Sequence, residues 1–135
     1  FTREQLDKAV KLEAKEFRSS VLMNDGKGKF IIKPLPVEAQ FSVMYGIEVS
    51  DYDGDGKADI IMGGNFYQSK PEAGIYDASY GVLLKGDGKG GFMTIPSGQS
   101  GFFIKGAVRD MLTIKSKKKN LLLVARNNEP IKIFQ

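Results

Sequence analysis

Asp51-Tyr52-Asp53-Gly54-Asp55-Gly56-Lys57-Ala58-Asp59 sets four carboxylates at positions 1, 3, 5 and 9 of a nine-residue stretch, with glycines at positions 4 and 6. Carboxylates held this close repel one another by about 1 kcal/mol per pair at 4 Å in water, and by more near a protein surface. A loop that gathers them calls for a cation at its centre. An ion-free Asp/Gly turn is the plainer alternative, but such a turn needs one Asp-Gly pair and not four spaced carboxylates.

Hard oxygen ligands at alternate positions, a glycine at position 6 and a backbone carbonyl at position 7 suit calcium, which takes six to eight oxygens in a tolerant geometry. The spacing opens as an EF-hand loop does. Position 12, where that loop needs a bidentate Glu, is Met62, so Asp59 would have to supply the closing carboxylate. The flanks also differ. Gly46-Ile47-Glu48-Val49-Ser50 alternates and Ile60-Ile61-Met62 is a short apolar run, so both sides read as strands rather than helices.

The chain has 135 residues, enough for one domain with a real core. Its net charge of +4 comes without basic clusters mixed with aromatics, so nucleic acid is not an expected partner. With no cysteine there is no disulfide framework, thiol nucleophile or cysteine zinc site, and with no histidine the commonest general base and transition-metal ligand are missing. No signal peptide, membrane-spanning run or lipidation signal is visible, and membrane insertion is not expected. The chain opens at Phe1 rather than Met, as a piece of a longer protein would.

Residues 1 to 17 read as an amphipathic surface helix. Thr2 and Gln5 make a capping-box pattern, Phe1 and Leu6 are placed as a hydrophobic staple, and Leu6, Val10 and Phe17 share one face. Glu4 with Lys8, and Asp7 with Lys11, are acid-before-base pairs four apart. From Ser19 onward the pattern is strands and turns. Ser20–Met23 and Phe30–Ile32 flank a glycine-rich turn, and Gly81–Leu84 and Phe92–Ile95 flank a nearly identical one.

That likeness is part of a repeat with an offset of 62 residues. Leu22 falls on Leu84, Asp25 on Asp87, Gly26 on Gly88, Lys27 on Lys89, Gly28 on Gly90, Phe30 on Phe92, Pro34 on Pro96, Phe41 on Phe103 and Asn65 on Asn127. Read without a gap, the offset also sets Val49-Ser50 on Met111-Leu112, and Ile60-Ile61-Met62 on Leu122-Leu123-Val124. Asp51, Asp53, Asp55 and Asp59 then fall on Thr113, Lys115, Lys117 and Leu121, so the second copy keeps the strands and loses the carboxylates. Lys115-Ser116-Lys117-Lys118-Lys119-Asn120 reads as a solvated charged turn. A phosphate or membrane patch is the sharper alternative, but no aromatic or Arg interleaves it.

Each copy holds four strands in meander order, expected in the complete copy at Met44–Ser50, Ala58–Gly64, Tyr80–Lys85 and Phe92–Ile95. Runs such as Ile60-Ile61-Met62 and Leu121-Leu122-Leu123-Val124 are apolar on both faces, as central strands are in stacked propeller blades. The expected fold is mainly β: antiparallel meander blades of a partial β-propeller behind one N-terminal helix. The helix takes residues 1–18 and the propeller segment 19–135. Within that segment, 19–36 is the end of one blade, 40–97 a complete calcium-binding blade, and 103–135 a partial blade without a calcium loop.

Asp-x-Asp-Gly-Asp-Gly-x-x-Asp between two strands, followed by Ile60-Ile61-Met62-Gly63-Gly64-Asn65-Phe66, resembles the FG-GAP/VCBS repeat of integrin-α-type β-propellers. The Asn24-Asp25-Gly26-Lys27-Gly28-Lys29-Phe30 hairpin is similar to a turn common in bacterial members. The resemblance covers residues 20 to 135 and is most specific at the acidic loop. It implies calcium held by the side chains of Asp51, Asp53, Asp55 and Asp59 and the carbonyl of Lys57. It also implies the C-terminal part of a long multi-repeat protein outside the cytoplasm: periplasmic, surface-attached or secreted.

The leading functional expectation is a non-catalytic scaffold in which structural calcium stiffens the loop and other loops meet a protein or glycan partner. Gln68–Ser79 and Pro96–Gly106, with Phe102 and Phe103, are the recognition segments, with ordinary packing as their plainer role. Self-association through open blade faces is a further expectation. The alternative is a metal-dependent phosphatase using Asp51 and Asp53, because Val49-Ser50-Asp51-Tyr52-Asp53-Gly54 is an apolar strand ending in Asp-x-Asp-Gly. That chemistry needs Ser or Thr after the glycine, where Asp55 stands, and a parallel sheet, where these strands are joined by hairpins. A glycan-processing propeller enzyme remains open if its catalytic residues lie in other segments.

Overall fold

The computed structural model describes residues 1–115 and 119–135, and over these the chain is mainly β, built as three antiparallel sheets. The first holds β1 (Ser20–Asn24) and β2 (Phe30–Pro34). The second holds β3 (Met44–Ser50), β4 (Asp59–Gly64), β5 (Val82–Gly86) and β6 (Phe92–Ile95) in chain order. The third holds β7 (Val108–Lys115), β8 (Asn120–Arg126) and β9 (Glu129–Phe134), again in chain order. Every strand expected from the alternation forms, with ends shifted by a residue or two. Of the charged turn expected at 115–120, Ser116, Lys117 and Lys118 lie outside the described residues.

β4 explains how the sheets stack. All six of its residues are buried, which an alternating half-exposed strand could not achieve. Ile60 and Met62 join Leu35, Ala39, Val82 and Leu84 in one apolar cluster, against which Val21 of the first sheet packs. Ile61, on the opposite face, joins Phe102, Ile104, Val108, Met111, Leu122 and Val124 in another cluster, shared with the third sheet. The second sheet is therefore the middle layer of three. The approach of the third is close because Gly46 and Gly63 carry no side chain. A Cβ at Gly46 would stand 2.8 Å from Met111 Cγ, and one at Gly63 would stand 2.5 Å from Met111 Cε. The Thr113 N–H completes the contact by donating to Glu48 Oε1 at 2.8 Å.

The repeat is real in three dimensions, with one correction. The hairpin turns after β1 and β5 share their aspartate bonds: Asp25 Oδ1 accepts the N–H of Lys27 and Lys29, and Asp87 Oδ1 those of Lys89 and Gly91. Met44 pairs with Gly64 and Val108 with Arg126, each followed by a bulge. The spacing is thus 62 residues between β4 and β8 but 64 between β3 and β7. Val49 and Ser50 correspond to Thr113 and Ile114, not to Met111 and Leu112, and the chain between the paired residues Ile114 and Leu121 is two residues shorter than that between Ser50 and Asp59. The hydrogen-bond register sets this alignment, and an ungapped sequence match cannot see it.

The helix expected over residues 1–17 is corrected to a single short one, α1 (Arg3–Asp7). Its start is as expected: Gln5 N–H donates to Thr2 Oγ1, Thr2 N–H donates to Gln5 Oε1, and Lys8 pairs with Glu4 at 2.7 Å. Its continuation fails because the apolar face finds nothing to bury. Phe1, Leu6, Val10 and Phe17 are all exposed, and an isolated helix below about 12 residues is marginal in water. The first 18 residues therefore cover no sheet face. A second short helix, α2 (Ser97–Ser100), follows β6. Among the described residues, no helix is long and apolar enough to cross a membrane.

Candidate metal centre

The acidic loop joins β3 to β4 and is closed by the Ser50–Asp59 strand pair. Gly54 and Gly56 turn it, at φ 79° and 80°, a region where a Cβ is strained. These two turns bend the chain around Asp51. Its Oδ1 accepts the N–H groups of Gly54 (2.7 Å) and Asp55 (3.1 Å), and its Oδ2 accepts that of Gly56 (2.8 Å). The bond from Gly56, with those from Gly54 and Asp55, holds the Asp51 carboxyl below the ordinary aspartate range.

Asp59 is held differently. It is buried, and its two oxygens accept the N–H groups of Tyr52 (3.0 Å) and Gly86 (2.9 Å). One oxygen each from Asp51, Asp53 and Asp59 lies within 4.8 Å of the others. Two oxygens on one calcium ion, at 2.3–2.6 Å each, stand at most about 5 Å apart, so this trio fits a hard divalent cation.

Asp55, expected as a fourth side-chain ligand, is turned to cations of the chain itself. Its Oδ1 accepts the Lys57 N–H at 2.9 Å, and its Oδ2 meets the ammonium groups of Lys85 (3.1 Å) and Lys57 (3.3 Å). The Lys57 N–H, followed by Lys85, lowers the Asp55 pKa. Lys85 also pairs with Asp53, and Asp53 and then Asp55 raise the lysine's pKa. The sequence reading missed Lys85. Its signal was the meander itself, since pairing of Ile60 with Leu84 brings the next residue of β5 level with Asp59.

The two expected recognition segments come together. Ala78 and Ser79, at the end of one, and Pro96, Ser97, Phe102 and Phe103 of the other line an open cleft of about 370 Å³, with Tyr80 beside them. Phe102 itself is a core residue, buried and packed on Phe134 with ring centroids 4.9 Å apart, so packing is its role. Phe103 stays partly exposed and stacks on Tyr80 at 5.0 Å. The anchor of this region is Asn65, which sequence reading used only as a repeat marker. Fully buried at φ 84°, it donates from Nδ2 to the carbonyls of Ser79 (2.7 Å) and Gly106 (3.1 Å) and accepts the Ser79 N–H (3.1 Å). Comparison with family models, with curated proteins and with solved structures finds no match for this chain.

Proposed function

We propose that this chain is a calcium-binding segment of a β-propeller, in which the ion is structural and the protein is a scaffold rather than an enzyme. The observation that carries the proposal is the convergence of Asp51, Asp53 and Asp59 within 4.8 Å at the end of a strand hairpin. The resident ion would be calcium, held by these three carboxylates, with Asp55 and the Lys57 carbonyl as the remaining expected ligands. The ion supplies charge neutralisation, fixing the loop and hence the β3–β4 register. Stacked meanders with a middle sheet whose β4 is buried on both faces support the propeller reading. The Gln68–Ser79 and Pro96–Gly106 segments, which share a cleft, are the surfaces proposed for a protein or glycan partner outside the cytoplasm.

The test is thermal unfolding of metal-stripped protein. A ligand that binds only the native state stabilises it by about 2.7 kcal/mol at a hundred times its Kd, so calcium should raise the melting temperature and chelator should reverse the rise. An unchanged melt would remove the metal from the proposal. The phosphatase alternative is tested in the same samples with aryl phosphates. Asp51 uses both oxygens to hold the loop's N–H groups, which supports a structural role over that of a nucleophile. No turnover is expected with calcium or magnesium. Magnesium-dependent phosphate release that vanishes in Asp51→Asn would reverse the choice.

A further inference from the structure

The stack of three sheets ends in an apolar face at each side. On the third sheet, Val108, Met111, Leu122 and Val124 point inward to the second sheet. Strand alternation turns Leu112, Leu123 and Ile133 outward, and these three are paired in one row across β7, β8 and β9. Leu112 and Ile133 are 58% and 59% exposed. On the first sheet, Val21 points inward, and Leu22, paired with Ile32, points outward together with Phe30. These three are 51–61% exposed. Contiguous apolar rows of this kind on a sheet face mark an interaction surface.

The repeat states what each face is made to meet. Leu123 on the outer face of the third sheet corresponds to Ile61, and Leu112 to Glu48. In the second sheet, Ile61 and Glu48 are the residues that the third sheet covers. Leu22 and Phe30 on the outer face of the first sheet correspond to Leu84 and Phe92, which lie in the cluster that the first sheet covers. The third sheet thus repeats the forward face of the second, and the first sheet repeats its rearward face. Within the chain, forward face meets rearward face wherever two sheets stack.

We infer that the outer face of the third sheet docks on the outer face of the first sheet of a second copy of this chain, head to tail, continuing the stacking already present inside the molecule. Two different faces meet, so the contact is heterologous: it closes into a ring or runs on as a filament, according to the rotation at each step. The inference rests on the stacking and the repeat and is independent of the metal.

Sedimentation velocity of the 135-residue chain over a range of concentrations, in calcium and in chelator, is the test. The parent should form species larger than a monomer, with the larger species growing as concentration rises. Leu112→Glu and Leu22→Glu each place a charge on one exposed face and should each be monomeric alone. Mixed, they should form a 1:1 dimer, since each retains the face the other has lost. Ile133→Glu and Ile32→Glu repeat the design at second positions, and circular dichroism establishes that each variant is folded. A parent that stays monomeric overturns the inference, including the case where both faces bind an apolar dye and so await a different occupant. Association abolished by one face's variants and untouched by the other's would mean like-to-like pairing, and would overturn it equally.

Discussion

Asp59 Oδ1 accepts the backbone N–H of Gly86 at 2.9 Å, so the last carboxylate of the acidic loop also clasps the start of β4 to the end of β5. Its second oxygen holds the Tyr52 N–H at 3.0 Å. Asp59 is thus the buried carboxylate of the loop and holds the β5 backbone directly, where its exposed loop partners hold loop N–H groups or lysines, so its loss should differ from theirs.

Asp59→Ala strips the acceptor from both N–H groups, and an unsatisfied buried donor costs about 1–3 kcal/mol. The variant should lose roughly 2–5 kcal/mol of stability in urea unfolding even with chelator present. Asp53→Ala should abolish the calcium-induced rise in melting temperature and leave the chelated protein nearly unchanged. Equal stability of the two variants in chelator would contradict the clasp.

Lys85 pairs with Asp53 and Asp55, so on the proposed function it would compete with a metal for them. Lys85→Gln removes the ammonium and leaves the carboxylates to repel one another. Calcium affinity should rise several-fold by isothermal titration, and the chelated protein should melt lower than the parent. Calcium affinity unchanged or weakened in Lys85→Gln would mean that the lysine does not share the site.

Acid should weaken the fold in a defined direction. Asp51, Asp55 and Asp87 all have folded-state pKa values below their unfolded ones, because backbone N–H groups and lysines favour the ionised form. Their contribution is fully present above the unfolded value near pH 4 and is lost as pH falls through the folded values. The three are solvent-exposed, so the effect is modest and screened by salt. Melts of chelated protein taken downward from about pH 6 should show the loss beginning near pH 4. Asp51→Asn should flatten that acid limb, and calcium binding should fail over the same range because its ligands must be deprotonated.

Asn65 ties its own strand end to Ser79 and to Gly106, at a positive φ that asparagine tolerates better than most residues. Asn65→Leu should cost about 2–4 kcal/mol through unsatisfied buried partners and a strained backbone. Asn65→Gly removes the strain and not the lost bonds, so it should also be destabilised. If it unfolds at the same urea concentration as the parent, the three bonds contribute nothing.

The acidic loop, the strands beside it and the two matching hairpins were legible in the sequence because each rests on local chemistry. Carboxylates at alternate positions, glycines where φ turns positive and apolar residues at period two act within a few residues of one another. The capping box of α1 was legible for the same reason. The length of α1 was not, because an amphipathic stripe becomes a long helix only when something covers it, and here nothing covers Leu6 or Val10.

Long-range geometry decided the rest. Composition and spacing were enough to specify a β-rich repeat chain with one acidic turn, and which strands are apolar on both faces. Contacts between distant segments set the rest: Asp59 serves Gly86, Lys85 reaches Asp53 and Asp55, and the spacing between copies grows from 62 to 64 at β7. Those facts depend on strand register, and register is a property of two chain segments meeting, so neither segment's sequence contains it alone.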